Sequence, residues 1–166
     1  MGKSNISELR LADIMTSEVL TSGPDETVFD VVMKMRANNI GAIIVVDQSM
    51  KCLGIFTERD IINKVIPEKL DLETTHVSSV MTPDPETLDQ NTFINDAYCM
   101  MEKGNFRHVP VVEGGKLKGI VSMRDIDKLF WHELTSKISE YLALIQGFTE
   151  ICDNVEQIKR KVLGIE

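Results

Sequence analysis

The chain carries one pattern twice, and that constrains its fold more than any other feature. Residues Asp13 to Asp47 overlay Ser79 to Glu113 at a constant offset of 66. Met15-Thr16 meets Met81-Thr82, Asp30 meets Asp96, Met35 meets Met101, Asn39 meets Asn105, and Val45-Val46 meets Val111-Val112. After a one-residue slip, Gly54-Ile55 meets Gly119-Ile120, and Arg59-Asp60-Ile61 meets Arg124-Asp125-Ile126. A slip of that size falls where turns tolerate a change of length. Such self-similarity is the mark of two like supersecondary units, each burying what the other leaves exposed.

Each copy shows the same order of periods. A short helical turn and a brief extended piece, Val19 to Thr21 or Glu86 to Leu88, come first. Val28, Val31, Val32 and Met35, and in the second copy Ile94, Ala97, Tyr98 and Met101, then fall at i, i+3, i+4 and i+7, the stripe of an amphipathic helix. The β-branched runs Ile43 to Val46 and Val109 to Val112 follow, each joined through a polar or Gly-rich turn to a second strand, Leu53 to Phe56 or Leu117 to Val121. A closing helix runs from Thr57 to Val65, where Pro67 stops it, and from Ser122 to His132. A three-stranded unit of this size cannot cover both faces of its sheet, so the two should pack sheet on sheet. The expected fold is α/β (α+β), two pseudo-symmetric β-α-β-β-α repeats at 7–66 and 77–132, with a linker at 67–76 and a C-terminal helical extension at 133–166.

In that extension apolar residues recur at Leu134, Ile138, Tyr141, Ile145, Phe148, Ile151, Val155, Ile158 and Val162, mostly three or four apart. The spacing predicts an amphipathic helix but is too irregular for a strict coiled coil, and Gly147, at about 1 kcal/mol in a helix interior, marks an expected break into two helices. The segment either folds back on its own module or pairs with another chain.

Of the 166 residues, 26 are Asp or Glu against 18 Lys or Arg, a net charge of -8. A broad basic face for nucleic acid is therefore not expected. No run approaches the roughly 20 apolar residues of a membrane helix, so a cytoplasmic protein without membrane partners is expected. Cys52, Cys99 and Cys152 are odd in number and lack any C-x-x-C spacing, and read as small apolar fillers. His108 and Cys99 have no third ligand or orienting acid at a motif spacing, so neither a metal site nor a nucleophile is expected. Met33, Met35, Met50, Met100 and Met101 read as core or turn residues.

The most informative stretch is the repeated Gly-Ile-x-Thr/Ser-x-Arg-Asp, at Gly54 to Asp60 and Gly119 to Asp125. Thr or Ser with Asp three residues on resembles a capping box that satisfies helix-start amides. On that reading, Asp60→Asn and Asp125→Asn should each cost under about 1 kcal/mol. The same geometry also makes an anion and sugar site: free N–H groups point outward from the helix start, the hydroxyl reaches a phosphate, and the carboxylate accepts both hydroxyls of a ribose.

With Asp13-Ile14-Met15-Thr16, Ser79-Val80-Met81-Thr82, the strands ending Val45-Val46-Asp47 and Val111-Val112-Glu113, and both Arg-Asp turns, the chain resembles the cystathionine-beta-synthase (CBS) domain family, as a tandem pair over residues 7–132. The resemblance implies a regulatory module whose clefts bind an adenosine nucleotide such as AMP, ADP or ATP, or S-adenosylmethionine; with no nucleophile–base pair, metal motif or Gly-rich phosphate loop in the sequence, neither a catalytic cofactor nor enzyme activity is expected. It implies phosphate and ribose contacts at Thr57 and Asp60 and at Ser122 and Asp125. The base would lie by Val19, Leu20, Ile40, Gly41 and Ala42 in one repeat and by Glu86, Phe106, Arg107 and His108 in the other. Arg107-His108 would favour a phosphate, whereas Glu86 would disfavour one. The resemblance further implies a homodimer built through the module's helices, and output through assembly or a further protein partner. The rival reading is a purely structural assembly module with vestigial clefts.

Overall fold

The computed structural model describes residues 6–163. They divide into two compact units, one reaching to Ile126 and one beginning at Asp127.

The first unit holds both repeats. Strand β1 (Thr21–Ser22) leads to α1 (Val28–Asn38), β2 (Ala42–Val46) and β3 (Cys52–Thr57), then a helical turn α2 (Glu58–Asp60) that widens into a π-helix at Ile61–Val65. The second repeat follows as β4 (Thr82–Pro83), β5 (Leu88–Asp89), α3 (Ile94–Gly104), β6 (His108–Glu113), β7 (Lys116–Ser122) and α4 (Met123–Leu163). The mixed α/β architecture and two-sheet body agree with the sequence reading, and each helix stripe is the buried face. Val28, Val31 and Met35 on α1, and Ile94, Ala97 and Met101 on α3, are at most 4% exposed, and burial of each of these side chains other than Ala97 is worth about 1.5–3 kcal/mol.

The sheets run β1-β2-β3-β4 and β5-β6-β7. Between them lies a shared core of Ala42, Ile44, Val46, Ile55 and Leu117, with Val19, Cys52 and Ile120 packed on it. The five-residue run of β2 is buried throughout because one side faces α1 and the other faces the opposite sheet.

The repeats are interleaved, which the sequence did not disclose. The segment that opens the second repeat completes the first: β4 pairs antiparallel with β3, and Val77 and Val80 join Val31, Ile43 and Phe56 in the core beneath α1. Reciprocally, Thr16 exchanges two 3.0 Å backbone hydrogen bonds with Ile120 of β7, and Arg10 stacks its guanidinium over Phe93, 3.5 Å from the ring centroid. The repeated Met and the repeated Gly are complementary halves of this exchange. A Cβ on Gly54 would collide with Met81, and one on Gly119 would lie 2.6 Å from Met15 Sδ.

The one-residue slip between copies sits in the hairpin turns. Asp47 organises the longer turn by accepting from the Ser49 amide, the Ser49 hydroxyl and the Lys51 amide at 2.7 to 2.9 Å. The shorter turn uses Gly114 and Gly115, both at positive φ, as a two-residue hairpin loop requires. Asn39 and Asn105 match because each ends its helix in the left-handed conformation, at φ 53 and 52.

Several expectations change. The segment from Met123 to Leu163 is one uninterrupted α-helix of 41 residues; Gly147 does not break it, because about 1 kcal/mol cannot undo hydrogen bonds propagating from both sides. Cys99 is exposed rather than a filler, while Cys52 is half-buried, and burial pushes the Cys52 thiol upward. Met35 and Met101 are core and Met50 is a turn residue, but Met33 on α1 is exposed. The side chains of Cys152 and Val162 lie outside the described residues. Among the described residues no helix is long and apolar enough to cross a membrane.

Candidate functional site

A cleft of about 340 Å3 opens at the end of β3. Its wall from the first repeat is Gly41, Ile55, Thr57, Glu58, Arg59 and Asp60; the remainder comes from Thr82 to Glu86 and Phe106 to His108. Interleaving is what makes this possible, since β4 carries Thr82 to the edge of β3 beside Asp60. A hydrogen bond from Arg59 Nη1 to the Asn105 carbonyl, 2.6 Å, ties the two sides together.

Asp60 is the buried polar centre, 7% exposed. One carboxylate oxygen accepts from both the amide and hydroxyl of Thr57 at 2.8 Å. The other accepts from Lys64 Nζ at 2.7 Å and, at 3.4 Å, from the Thr82 hydroxyl. Lys64 spends its remaining donors on the Val80 and Met81 carbonyls, at 2.8 and 3.1 Å. Asp60 therefore caps α2 and also anchors the segment entering β4, a burden the repeat pattern did not reveal.

The second turn is built alike but less loaded. Asp125 accepts from the Ser122 amide and hydroxyl at 3.0 and 2.6 Å, and its own amide donates to the Ser122 hydroxyl at 3.3 Å. Leu129 stands four residues after Asp125, where Lys64 follows Asp60, so no cation completes this carboxylate from that position.

Of the residues singled out by sequence, Gly41, Thr57, Asp60, Glu86, Phe106, Arg107 and His108 come together in the cleft. Val19, Leu20, Ile40, Ala42, Ser122 and Asp125 are not among its lining residues. Leu20 and Ile40 pack on the core beneath α1, whereas Val19 and Ala42 belong to the core between the sheets. The sequence reading did not place Ile55, Glu58 or Thr82 to Asp84 at the site. The repeated Met-Thr pair was the available signal for Thr82, but only strand exchange shows which turn it approaches.

Gly41 leaves room for its neighbour: a Cβ there would stand 3.2 Å from Glu58 Oε2, while the Gly41 carbonyl accepts the Glu58 amide at 3.1 Å. Arg107 occupies the matching place in the second repeat, and its backbone carbonyl accepts from the Met123 amide at 2.9 Å. His108 is half-buried. Desolvation, followed by the Arg107 guanidinium, pushes its imidazole below the ordinary value, while Asp125 and Glu58 pull it back. The walls carry four carboxylates, Glu58, Asp60, Asp84 and Glu86, against two guanidinium groups, Arg59 and Arg107. Ile55, Pro83, Pro85 and Phe106 supply apolar surface for a flat group. Among the described residues no three His, Cys, Asp or Glu side chains are gathered to hold a metal ion.

Known proteins share this fold. The CBS domain model matches twice, over residues 11–67 and 77–132. A 17.7 kDa protein of Acidianus ambivalens is 30% identical over 144 residues, covering 86% of each chain. The CBS domain-containing protein CBSCBSPB5 of Arabidopsis thaliana is 35% identical over 130 residues, which span 78% of this chain but only 22% of that protein. Among solved structures, the CBS domain pair of protein MJ0100, in complex with 5′-methylthioadenosine and S-adenosyl-L-methionine, has a TM-score of 0.70 at 25% identity over 75% of this chain and 98% of that one. A protein with CBS domains from Burkholderia ambifaria has a TM-score of 0.67 at 28% identity, over 72% of this chain and 90% of that one. With two matched domains in tandem, the same order of elements and the same two-sheet body, this chain belongs to the CBS domain family as a CBS domain pair.

Proposed function

We propose that the chain is a regulatory, non-catalytic module that binds an adenosine derivative in the cleft beside Thr57 and Asp60. The observation carrying this reading is the convergence of a helix-start hydroxyl and carboxylate with Phe106, Arg107 and His108 around one cavity. The likeness to a CBS pair holding 5′-methylthioadenosine and S-adenosyl-L-methionine supports it. The base stacks on the apolar wall, the ribose hydroxyls meet Asp60, and a single phosphate meets Arg107 and His108. Further phosphates add negative charge to a cleft that already holds four carboxylates, so the order of affinity places S-adenosylmethionine and AMP above ADP and ATP.

Thermal shift and calorimetry with these ligands test the reading. A ligand at about 100 times its dissociation constant raises stability by about 2.7 kcal/mol, and Asp60→Asn reduces affinity about tenfold or more, a loss expected for a charge-assisted hydrogen bond. An anionic group beside His108 favours its protonated form, so AMP binding strengthens as pH falls into the range below the ordinary imidazole value, where desolvation and Arg107 place His108 in the free protein. His108→Gln flattens that dependence.

A second reading, a structural assembly module with closed-off chemistry, is favoured by the donors already seated on Asp60. It prevails when no adenosine compound shifts the melting temperature at millimolar concentration and calorimetry records no heat.

A further inference from the structure

Beyond Asp127 the second unit is α4 alone among the described residues, so nothing else in that unit covers its apolar face. Ten large apolar side chains between Leu134 and Ile158 are 45 to 67% exposed. Eight of them advance along the helix in steps of 4, 3, 4, 3, 3, 4 and 3, with one short step from Phe148 to Ile151. Because the helix runs unbroken through Gly147, these steps form one continuous seam close to the 3.5-residue repeat of paired helices, with a single stammer. Leu142 and Leu144 widen it toward the apolar stripe of a bundle helix.

At roughly 100 Å2 of exposed apolar surface per half-exposed large side chain, the face amounts to about 1,000 Å2, beyond the few hundred Å2 a monomer ordinarily leaves in one patch. Covering most of it on two copies removes about 1,500 to 2,000 Å2 from water, which is the area of a stable protein interface. A seam of this step accepts another helix with the same step, and a second copy of this chain presents one.

We infer that α4 is a self-association element whose face from Leu134 to Ile158 packs against the same face of a second copy. This is independent of what the cleft binds.

The test uses the full chain as an equal mixture of unlabelled and 15N-labelled protein, cross-linked through amines, with Lys128, Lys137 and Lys161 as reporters on the exposed helix. Mixed-isotope links joining one α4 to another are expected. They fall at least tenfold in Ile145→Glu/Ile151→Glu, as loss of buried interface anchors requires, and persist in Gln146→Glu on the polar face. Helix links of a single isotope only, links from α4 only to residues before Asp127, or mixed links undiminished in the double variant each overturn the inference. Should the double variant fail to fold, the wild-type isotope pattern decides by itself.

Discussion

Asp60 and Asp125 occupy matched positions in a repeated motif, yet they bear different loads. Both close a helix start onto a Thr or Ser, but only Asp60 holds Lys64 at 2.7 Å while nearly buried. Neutralising Asp60 leaves an ammonium group on two carbonyls without its counter-charge. Lys64 itself is 36% exposed at its side chain, so water recovers part of that loss. Asp60→Asn should therefore destabilise the ligand-free protein by about 1–3 kcal/mol. Asp125→Asn should stay under about 1 kcal/mol, the cost of a capping interaction. Urea denaturation of both variants measures the difference, and equal losses would reduce Asp60 to a simple cap. The expectation of equal, small effects rests on a capping box readable from four consecutive residues, whereas the Val80 and Met81 carbonyls that load Asp60 through Lys64 arrive by strand exchange.

Elements show the same division between local rule and context. Gly147 has nothing within 4 Å of the place a Cβ would take, and it lies inside a 41-residue helix. Gly147→Ala should add about 1 kcal/mol to helix stability, through reduced backbone entropy of the unfolded chain and intrinsic propensity. Far-UV circular dichroism during thermal unfolding reads this as a higher midpoint for loss of helix; a lower midpoint would mean that Gly147 serves a close approach. Helix stripes and strand runs were legible because a period of 3.6 or a β-branched run reports which side is buried. The π-helical turn at Ile61–Val65 was not legible, since its widened hydrogen bond from the Ile66 amide to Ile61, 2.9 Å, has no counterpart in composition or spacing.

Across the whole first unit, interleaving should make the repeats unfold together. Each lends backbone partners to the other's sheet, through β4 on β3 and Thr16 on β7, and both contribute to the core between the sheets. Val31→Ala beneath α1 should cost about 2 kcal/mol by opening a cavity. It should accelerate global hydrogen exchange in β3 and β7 alike, because no boundary separates their cores. Acceleration confined to the first repeat would mean two independent folding units.

Met15 and Met81 show where sequence information ends. Their recurrence with Gly54 and Gly119, together with the helical stripes and β-branched runs, determined that two like units exist, which faces they bury and which turns begin helices. These are consequences of backbone geometry within a dozen residues. That each Met covers the other repeat's Gly was decided only by tertiary structure, because exchange and non-exchange satisfy the same local periods. The same long-range choice brought Thr57 and Asp60 into one cleft with Phe106, Arg107 and His108, and drew Val19, Leu20, Ile40 and Ala42 into packed cores. Apolar side chains gain free energy wherever water is excluded, so a residue pattern fixes their burial without naming the partner; shape and strand order name it.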